Sequence, residues 1–277
     1  MKITDLKGTI KLANGVEMPY LGLGVHKTKE GSEVENSVKW ALEAGYRHID
    51  TAAIYENEHG VGNALKASGI PRNEVFITTK AGNDNLRKGT VMEGFGESLR
   101  LLQTDYVDLY LIHWPVKGKY TETWKVFEEI YRSGRARAIG VSNFLQHHLE
   151  DIFQIAEIMP MVDQVECHPH LVQQPLIDFC QSHNIVFEAW RPIMRGAVND
   201  IPLFIELADK YKKTPVQIVL RWNLQKEIVT IPKSVHKDRI ESNADIFDFE
   251  LSTEDIHRID ALDQNKRFGS HPDTFTF

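Results

Sequence analysis

Eight short apolar segments recur along the chain, and most are separated by an amphipathic stretch. The intervening stretches include GSEVENSVKWALEAG and TETWKVFEEIYRSG, whose apolar residues recur at helical spacing. Strands that alternate with helices form parallel sheets built from βαβ units. Eight such units within 277 residues predict an α/β fold of the (β/α)8 or TIM-barrel type. The predicted strands begin at residues 21, 46, 75, 105, 136, 161, 185 and 228.

A doubly wound parallel sheet is the main alternative to the barrel. That fold commonly carries a glycine-rich dinucleotide fingerprint, G-x-G-x-x-G, directly after its first strand. The first predicted strand contains Gly22 and Gly24, but the third glycine of the fingerprint is missing. The barrel is therefore favoured.

Several segments lie outside the eight-fold repeat. The segment TIKLANGVEMP carries Asn14-Gly15 between alternating residues, which predicts a type I′ hairpin across the bottom of the barrel. Two helical patterns separate the last two strands, and two more follow the last strand, where Ser252 predicts an N-cap. We therefore expect one domain over residues 1–277, a barrel with an N-terminal hairpin and two extra helices.

The charge, the apolar runs and the cysteine content indicate which classes of partner and which cellular compartment to expect. A formal charge of -7 disfavours binding to nucleic acid or to an anionic membrane surface. The sequence has no apolar run of membrane-spanning length and no secretory signal pattern at its start. Cys167 and Cys180 lack metal-like spacing and are expected to be thiols in a reducing cytoplasm. We expect a monomer, because the barrel helices account for the apolar stripes.

Four polar side chains stand at the ends of successive predicted strands. They are Asp50, Tyr55, Lys80 and His113. The carboxyl ends of the strands of a parallel barrel open onto one face, which is where active sites of this fold are built. We therefore expect these four side chains to converge.

The chemistry of this set suits proton donation to a carbonyl oxygen. A tyrosine with a pKa near 10 is a poor acid at neutral pH, and a nearby ammonium lowers that pKa. Lys80 is the candidate ammonium, and Asp50 would keep it charged when buried. His113 would donate a hydrogen bond to the same oxygen and orient it. Together they would hydrogen-bond a carbonyl oxygen and protonate it as negative charge develops there.

Over almost its whole length, the chain resembles the aldo-keto reductases. The matching motifs, in the order of the family, are GYRHIDTAAIYENE, FITTK, DLYLIHWP, RAIGVSNF, QVECHPH, EAW and IPKSVHKDRIESN. The closest resemblance is to bacterial members of the glyoxal and 2,5-diketogluconate reductase type. It implies an NADPH-dependent carbonyl reductase that binds its cofactor without a Rossmann fold. Tyr55 would be the general acid, Lys80 and Asp50 would tune it, and His113 would orient the substrate.

The resemblance also implies a set of cofactor-binding residues. Ser142, Asn143 and Gln164 would bind the nicotinamide carboxamide, and Trp190 would stack on the nicotinamide ring. The positions that match contacts to the adenosine 2′-phosphate and the adenine are Lys233, Ser234, Arg239 and Asn243. A helix that begins beside cations is a natural anion site, which agrees with a phosphate there and favours NADP over NAD.

Three positions near the expected substrate pocket depart from the family pattern. They are His26, where an aromatic residue is usual, Gly82, where tryptophan is usual, and Arg191, where serine is usual. Trp114 would form an aromatic wall. Loss of a tryptophan should enlarge the pocket, and Arg191 adds charge near the cofactor pyrophosphate or the pocket mouth. We expect bulkier or anionic carbonyl substrates, as in an engineered pocket variant. The neutral alternative is that Arg191 only pairs with a cofactor phosphate and that a neighbour compensates Gly82.

A metal-dependent enzyme is the second alternative. The cluster of Glu166, Cys167, His168 and His170 resembles a ligand set, but adjacent strand residues point to opposite faces. We expect no metal there, and we expect His147-His148 to form a solvated helix start. A slow, NADPH-binding sensor subunit is a third alternative, which only turnover excludes.

Overall fold

The computed structural model describes residues 3–277, and these residues form an α/β structure with ten strands. The first two strands form a separate hairpin, and the other eight form one parallel sheet. The strands are β1 Thr9–Lys11, β2 Glu17–Pro19, β3 Leu23–Gly24, β4 His48–Asp50, β5 Phe76–Ala81, β6 Val107–Ile112, β7 Ala136–Ser142, β8 Val162–Glu166, β9 Val186–Trp190 and β10 Val229–Thr230.

Helices connect the strands and cover the outside of the sheet. Short 3₁₀ turns at Ala53–Tyr55, Arg72–Glu74 and Met194–Asp200 supplement them. The α-helices are α1 Ser32–Glu43, α2 Glu58–Ser68, α3 Asn83–Lys88, α4 Val91–Leu102, α5 Tyr120–Arg132, α6 Gln146–Phe153, α7 Gln174–Ser182, α8 Pro202–Tyr211, α9 Pro215–Gln225, α10 Lys237–Ala244 and α11 Thr253–Asp260. In the part of the chain that the structure describes, no helix combines the length and the apolar character needed to cross a bilayer.

The eight parallel strands lie in chain order from β3 to β10, and the sheet curls until its edges meet. The Gly22 N–H donates to Thr230 O (3.0 Å), and the Thr230 N–H donates to Tyr20 O (2.9 Å). At this seam a Cβ on Gly24 would lie 3.0 Å from Ile231 O, so glycine permits the close approach of the two edges. The predicted (β/α)8 barrel is confirmed.

The middle of the barrel wall is buried on both of its faces. All six residues of β5 and all six of β6 are buried. Strands covered by helices on one side and by the barrel interior on the other are mostly apolar. The near-continuous apolar segments of the sequence are therefore a direct consequence of this architecture.

The N-terminal hairpin is present, but its turn differs from the prediction. The Leu12 N–H donates to Val16 O (2.8 Å), so the loop contains three residues rather than two. Gly15 has a φ of 86°, whereas Asn14 does not have a positive φ as a type I′ turn requires. Asn14 instead donates from Nδ2 to Arg137 O (2.8 Å) at the start of β7, which places the hairpin at the amino end of the strands. That contact holds the hairpin at the bottom of the barrel, as predicted.

The additional helices also form as expected, and side chains explain where two of them begin. The Thr214 hydroxyl accepts a bond from the Gln217 N–H (3.3 Å) at the start of α9, which has Pro215 in its first turn. The Ser252 hydroxyl accepts from the Asp255 N–H (3.1 Å) at the start of α11, so the predicted N-cap is confirmed. Such caps satisfy N–H groups that the first turn of a helix leaves unpaired.

Candidate active site

The four predicted polar residues meet at the carboxyl end of the barrel. The Lys80 ammonium, on β5, donates to both carboxylate oxygens of Asp50, on β4, at 2.7 Å each. Lys80 Nζ lies 5.2 Å from the centre of the Tyr55 ring, which sits in the 3₁₀ turn after β4. The His113 ring follows β6 and lies 5.6 Å from the Tyr55 ring between centroids. The structure therefore brings all four together.

A buried asparagine fixes the loop that carries Tyr55. Asn57 Nδ2 donates to Val25 O and to Thr28 O, both at 2.9 Å, and Asn57 Oδ1 accepts from the Thr51 hydroxyl (2.8 Å). These bonds tie the segment after β4 to the segment after β3. Sequence reasoning overlooked Asn57, although an asparagine in a short turn, here directly before α2, commonly anchors a loop through its side chain.

Burial and Lys80 act on the acidity of Tyr55 in opposite directions. Burial raises the pKa of Tyr55, and the nearby Lys80 charge lowers it as predicted, with a net value of about 12. The net pKa is raised because the loss of solvation outweighs the attraction of the ammonium. The hydroxyl consequently stays protonated at neutral pH and is available as a proton donor.

Lys80 and His113 have defined charge states for physical reasons. Burial alone would lower the pKa of Lys80, but the Asp50 carboxylate opposes this and the net pKa is raised, so the ammonium persists. Lys80 also donates to Thr51 O (2.8 Å). Burial and the charge of Lys80 lower the pKa of His113 well below its ordinary value, so its imidazole is neutral. A neutral imidazole beside a tyrosine hydroxyl can orient a carbonyl oxygen without adding charge.

The predicted nicotinamide-binding residues form one hydrogen-bonded group. The Ser142 hydroxyl donates to Gln164 O (2.7 Å), and Asn143 Nδ2 donates to His113 O (2.9 Å). Trp190 Nε1 donates to Asn143 Oδ1 (2.9 Å), which fixes the plane of the indole. Gln164 Nε2 donates to Asp50 Oδ2 (2.8 Å), so this group is joined directly to the Lys80–Asp50 pair.

Glu188 belongs to the same network, and sequence reasoning missed it. It lies on β9 opposite Gln164 in the strand register, and it accepts from Gln164 Nε2 at 2.9 Å. The signal in the sequence is the acidic residue of VFEAW, placed in the middle of a buried strand. Because side chains alternate along a strand, Glu188 shares the inward face with Val186 and Trp190.

The residues predicted to hold the adenosine 2′-phosphate and the adenine lie before and along α10, with Asn243 in its last turn. Lys233 and Arg239 are exposed, whereas Ser234 and Asn243 are buried. The Ser234 hydroxyl accepts from the His236 N–H (3.1 Å), which shapes the loop before the helix. Two exposed cations at a helix start beside the carboxyl end of β10 agree with an anion site.

Of the predicted pocket residues, His26 lies beside Tyr55, and Trp114 packs against the C-terminal segment. The His26 ring lies 4.9 Å from the Tyr55 ring, and burial together with neighbouring cations lowers its pKa to about 4. Trp114 is buried, with its ring 4.9 Å from the Phe275 ring and 5.2 Å from the Phe277 ring. The sequence shows no periodicity over the tail, residues 265–277, and therefore did not predict the packing of Phe275 and Phe277 against Trp114.

Arg191 has a partner within the protein. Its Nη1 lies 3.6 Å from Glu166 Oε1, beyond hydrogen-bond distance, and its guanidinium lies 5.1 Å from the Trp190 ring centre. Glu166 also accepts from the N–H groups of Phe268 and Gly269, both at 2.9 Å. Burial opposes ionisation of Glu166, but these bonds and one from His168 hold its pKa below the ordinary value. Arg191 therefore lies where the tail is fastened to β8.

The residues of the metal cluster considered in the sequence have separate hydrogen-bond partners. His168 Nε2 pairs with Glu166 Oε1 (3.2 Å), whereas Cys167 Sγ donates to Val172 O (3.6 Å). Within residues 3–277, the one close group of three histidine or acidic side chains lies elsewhere. It consists of His147, His148 and Asp273.

The group around Asp273 attaches the C-terminal segment to α6 through side-chain contacts. His148 Nδ1 accepts from the Leu145 N–H (3.1 Å), so its neutral tautomer carries the proton on Nε2, 3.2 Å from Asp273 Oδ1. That proton occupies the atom that a metal would need. His147 Nε2 lies 2.9 Å from the same oxygen. The prediction of a solvated helix start is correct for the exposed His147 and wrong for His148, which is buried because it caps α6.

Comparison with known proteins shows which family has this sequence and fold. The profile of the Aldo/keto reductase family matches residues 20–264. The glyoxal reductase of Bacillus subtilis (strain 168) is 53% identical over 274 residues, which cover 99% of this chain and 99% of that protein.

Solved structures agree with the sequence relatives. An aldo-keto reductase enzyme from a Medee basin deep-sea metagenome library superposes with a TM-score of 0.94 at 43% identity, covering 97% of this chain and 100% of that one. An aspartate-to-alanine variant of Gox0644, solved in complex with NADPH, has a TM-score of 0.93 at 41% identity, covering 98% and 99%. The chain therefore belongs to the aldo/keto reductase family and is an oxidoreductase that acts on carbonyl groups.

Proposed function

We propose that the protein reduces aldehydes and ketones to alcohols with NADPH, and that Tyr55 is the general acid. The observation that carries the proposal is the buried Lys80–Asp50 pair behind the Tyr55 ring, with a neutral His113 on the same rim. A dicarbonyl compound such as glyoxal is the favoured substrate class, because the 53% identical relative bears the name glyoxal reductase.

Each residue has one task in this reaction. His113 donates a hydrogen bond to the carbonyl oxygen and holds it beside the Tyr55 hydroxyl. Tyr55 gives its proton to that oxygen as negative charge develops there. Lys80 stabilises the phenolate that remains, and Asp50 keeps Lys80 charged. NADPH, when bound, supplies the hydride.

The residues present fit this cofactor. Both protons of Gln164 Nε2 are directed at carboxylates, those of Asp50 and Glu188, which leaves Gln164 Oε1 as the acceptor of that amide. A carboxamide N–H group of the nicotinamide would match this acceptor. Trp190 is half-buried, with its indole held by Asn143, and offers a fixed ring face. These features support the assignments of Ser142, Asn143, Gln164 and Trp190 to the nicotinamide end.

The test of this function is the loss of NADPH absorbance with glyoxal, methylglyoxal and a series of bulkier aldehydes. We expect turnover that is indifferent to a metal chelator and that collapses in a Tyr55→Phe variant. Turnover abolished by the chelator would instead indicate a metal-dependent enzyme. NADPH binding without turnover on any aldehyde would contradict the reductase and favour the sensor alternative.

The 2′-phosphate assignment predicts a selective loss of NADPH affinity. Replacing Lys233 and Arg239 together by methionine should weaken NADPH binding by at least about tenfold, since a hydrogen bond to a charged group contributes roughly 1.5–3 kcal/mol. NADH binding should change little, because NADH carries no 2′-phosphate for the two cations to bind. Dissociation constants from tryptophan fluorescence measure both. Lys66→Met, an exposed change in the last turn of α2, is the control; equal losses for the two cofactors would contradict the assignment.

Gly82 is proposed to set the width of the substrate pocket. A Cβ there would lie 3.2 Å from Asn85 Oδ1 and 3.3 Å from Ile54 Cγ2, and Ile54 is exposed enough to move. Gly82→Trp should therefore lower kcat/KM for bulky aldehydes relative to glyoxal by at least about tenfold. Gly82→Ala, which adds only the Cβ, is the matched control. If Gly82→Trp leaves the selectivity between bulky aldehydes and glyoxal unchanged, Gly82 does not line the substrate pocket.

We also propose that the protein acts as a monomer in the cytoplasm. The large apolar side chains that are most exposed, such as Met159, Ile205 and Phe277, lie on different elements. Cys167 and Cys180 are free and buried, as expected of thiols in a reducing compartment. Light scattering during size-exclusion chromatography tests the first part: a mass of twice 31.7 kDa would contradict it.

A further inference from the structure

Glu188 is an acidic side chain inside the barrel, and only one of its two carboxyl oxygens has a hydrogen-bond partner among the described residues. It is fully buried in the middle of β9, between Gln164 of β8 and Val229 of β10 in the strand register. Glu188 Oε2 accepts from Gln164 Nε2, whereas Oε1 has no hydrogen-bond partner among the described residues. A buried carboxylate without full pairing is costly, so its charge state requires an explanation.

Gln164 connects this carboxyl group to the proton-donating residues. Its single Nε2 group donates to Asp50 Oδ2 at 2.8 Å and to Glu188 Oε2 at 2.9 Å. Two carboxyl groups therefore share one amide. Loss of either acceptor would free the amide to rotate, which would turn Gln164 Oε1 away from the position that suits a nicotinamide carboxamide.

The charges that face Glu188 cannot neutralise it. The titratable groups around it are His48 and Asp50 on β4, Tyr55 after β4, and Lys80 on β5. The Lys80 ammonium is already matched by Asp50. His48 Nε2 lies 3.8 Å from Glu188 Oε1, but burial lowers the pKa of His48 to about 3 and keeps that ring neutral. A second carboxylate would give this network an uncompensated negative charge.

We propose that Glu188 is a positioning residue for the reduction, which fixes the Gln164 amide for the nicotinamide and, when it ionises, suppresses proton donation by Tyr55. The inference rests on the proposed function, because it concerns the acid of that reaction. While Glu188 is protonated, the Lys80 charge is balanced by Asp50 alone and stabilises the forming phenolate. Once Glu188 is ionised, its negative charge disfavours the phenolate and makes Tyr55 a weaker acid.

The pH dependence follows from the sign of this charge. Burial and the Asp50 carboxylate raise the pKa of Glu188 to about 8. The protonated, active form therefore prevails below that pH and is lost above it. In the wild type, kcat for carbonyl reduction should fall as the pH rises through about 8, by up to about tenfold per pH unit. Tyr55 itself, whose pKa is raised further, remains protonated over this range.

The test compares pH profiles of Glu188→Gln and the wild type. The variant keeps an oxygen that accepts from Gln164 but cannot ionise, so we expect wild-type kcat at neutral pH, an unchanged NADPH dissociation constant and no alkaline fall. Glu188→Leu removes the acceptor and should weaken NADPH binding by about fivefold or more. A Glu188→Gln variant that keeps the wild-type alkaline fall would overturn the proposal.

Glu58→Gln is the matched control. Glu58 is another buried glutamate with a raised pKa, caused mainly by burial, but it accepts from the hydroxyls of Thr79 and Ser98 on the outer side of β5. We expect this variant to keep the alkaline fall of the wild type. Loss of the fall in both variants would assign it to a general effect on stability and would overturn the proposal.

Infrared titration provides a readout that does not depend on turnover. A protonated buried carboxyl group has a C=O stretch that disappears when it ionises. We expect the wild type to lose one such band as the pH rises through about 8, and Glu188→Gln to lack that band, which separates it from the buried Asp163, whose pKa burial also raises. Absence of any carboxyl band that titrates there would overturn the role of Glu188. If neither the wild type nor Glu188→Gln oxidises NADPH with any aldehyde, the proposed function is refuted. The carboxyl band would still report the charge of Glu188 in that case.

Discussion

Replacing Tyr55 by phenylalanine is expected to lower kcat for carbonyl reduction by about 10²–10⁴-fold, the usual contribution of one positioned general acid. The variant removes only the hydroxyl, so the half-buried ring can keep its packing against His26 and His113. NADPH binding should be nearly unaffected, because the cofactor contacts proposed above lie on other residues. The measurements are NADPH oxidation with glyoxal and the NADPH dissociation constant from fluorescence.

The matched control is Tyr131→Phe. Tyr131 lies on α5 at the bottom of the barrel, where its hydroxyl accepts from Asn14 Nδ2 (3.3 Å). Loss of that hydroxyl should leave turnover unchanged. A Tyr55→Phe variant with wild-type turnover would show that another group supplies the proton, and the proposed mechanism would then be wrong.

Replacing Lys80 by methionine should cost both stability and activity. The Lys80 side chain is fully buried, and the Asp50 side chain is 3% exposed. Removing one partner from a buried ion pair leaves an uncompensated charge and destabilises a protein by about 3–5 kcal/mol. The same change removes the ammonium that stabilises a Tyr55 phenolate, so we expect turnover to be lost as well. Urea denaturation at several pH values measures the stability, provided that unfolding is two-state.

The pH dependence of this loss identifies its cause. Without Lys80, burial raises the pKa of Asp50 above its unfolded value, so the folded variant is favoured when Asp50 is protonated. The deficit relative to the wild type should therefore shrink as the pH is lowered. Lys39→Met, in an exposed pair with Glu43 at 3.9 Å, should change stability by less than about 1 kcal/mol. If Lys80→Met loses no more unfolding free energy than Lys39→Met does, the interpretation of Lys80 and Asp50 as a buried ion pair is contradicted.

The order of elements and their packing could be predicted because they depend on local pattern. Apolar strands such as β6 and helix starts such as Ser252 are specified by nearby residues. The turn at Asn14-Gly15 was assigned to the wrong type, because a two-residue and a three-residue loop contain the same residue types. The contact of Asn14 with Arg137, which is distant in the sequence, belongs to the tertiary structure.

The candidate catalytic residues could be predicted as positions that converge, and the charge on Lys80 with them, but the pKa of Tyr55 could not. The sequence places Lys80 near Tyr55, yet the sign of the pKa shift of Tyr55 depends on how much solvent the fold removes. His148 was expected in solvent because it follows His147 in a polar segment. It is buried because its ring accepts the Leu145 N–H, a contact decided by side-chain direction. Glu188 was overlooked because a single acidic residue in an apolar strand gains its meaning only from Gln164 across the sheet.

The seam between β3 and β10 has a consequence for synthesis of the protein. A ribosome makes β3 early and β10 late, so the nascent chain holds an open sheet until residue 230 has emerged. The early edge is exposed throughout that time, but β3 has only two residues and follows shortly after Pro19, which has no N–H to donate. Very short strands and prolines near sheet edges are poor templates for pairing with another chain. We therefore expect the shortness of β3 to limit pairing of the unfinished sheet with other chains until β10 has been made.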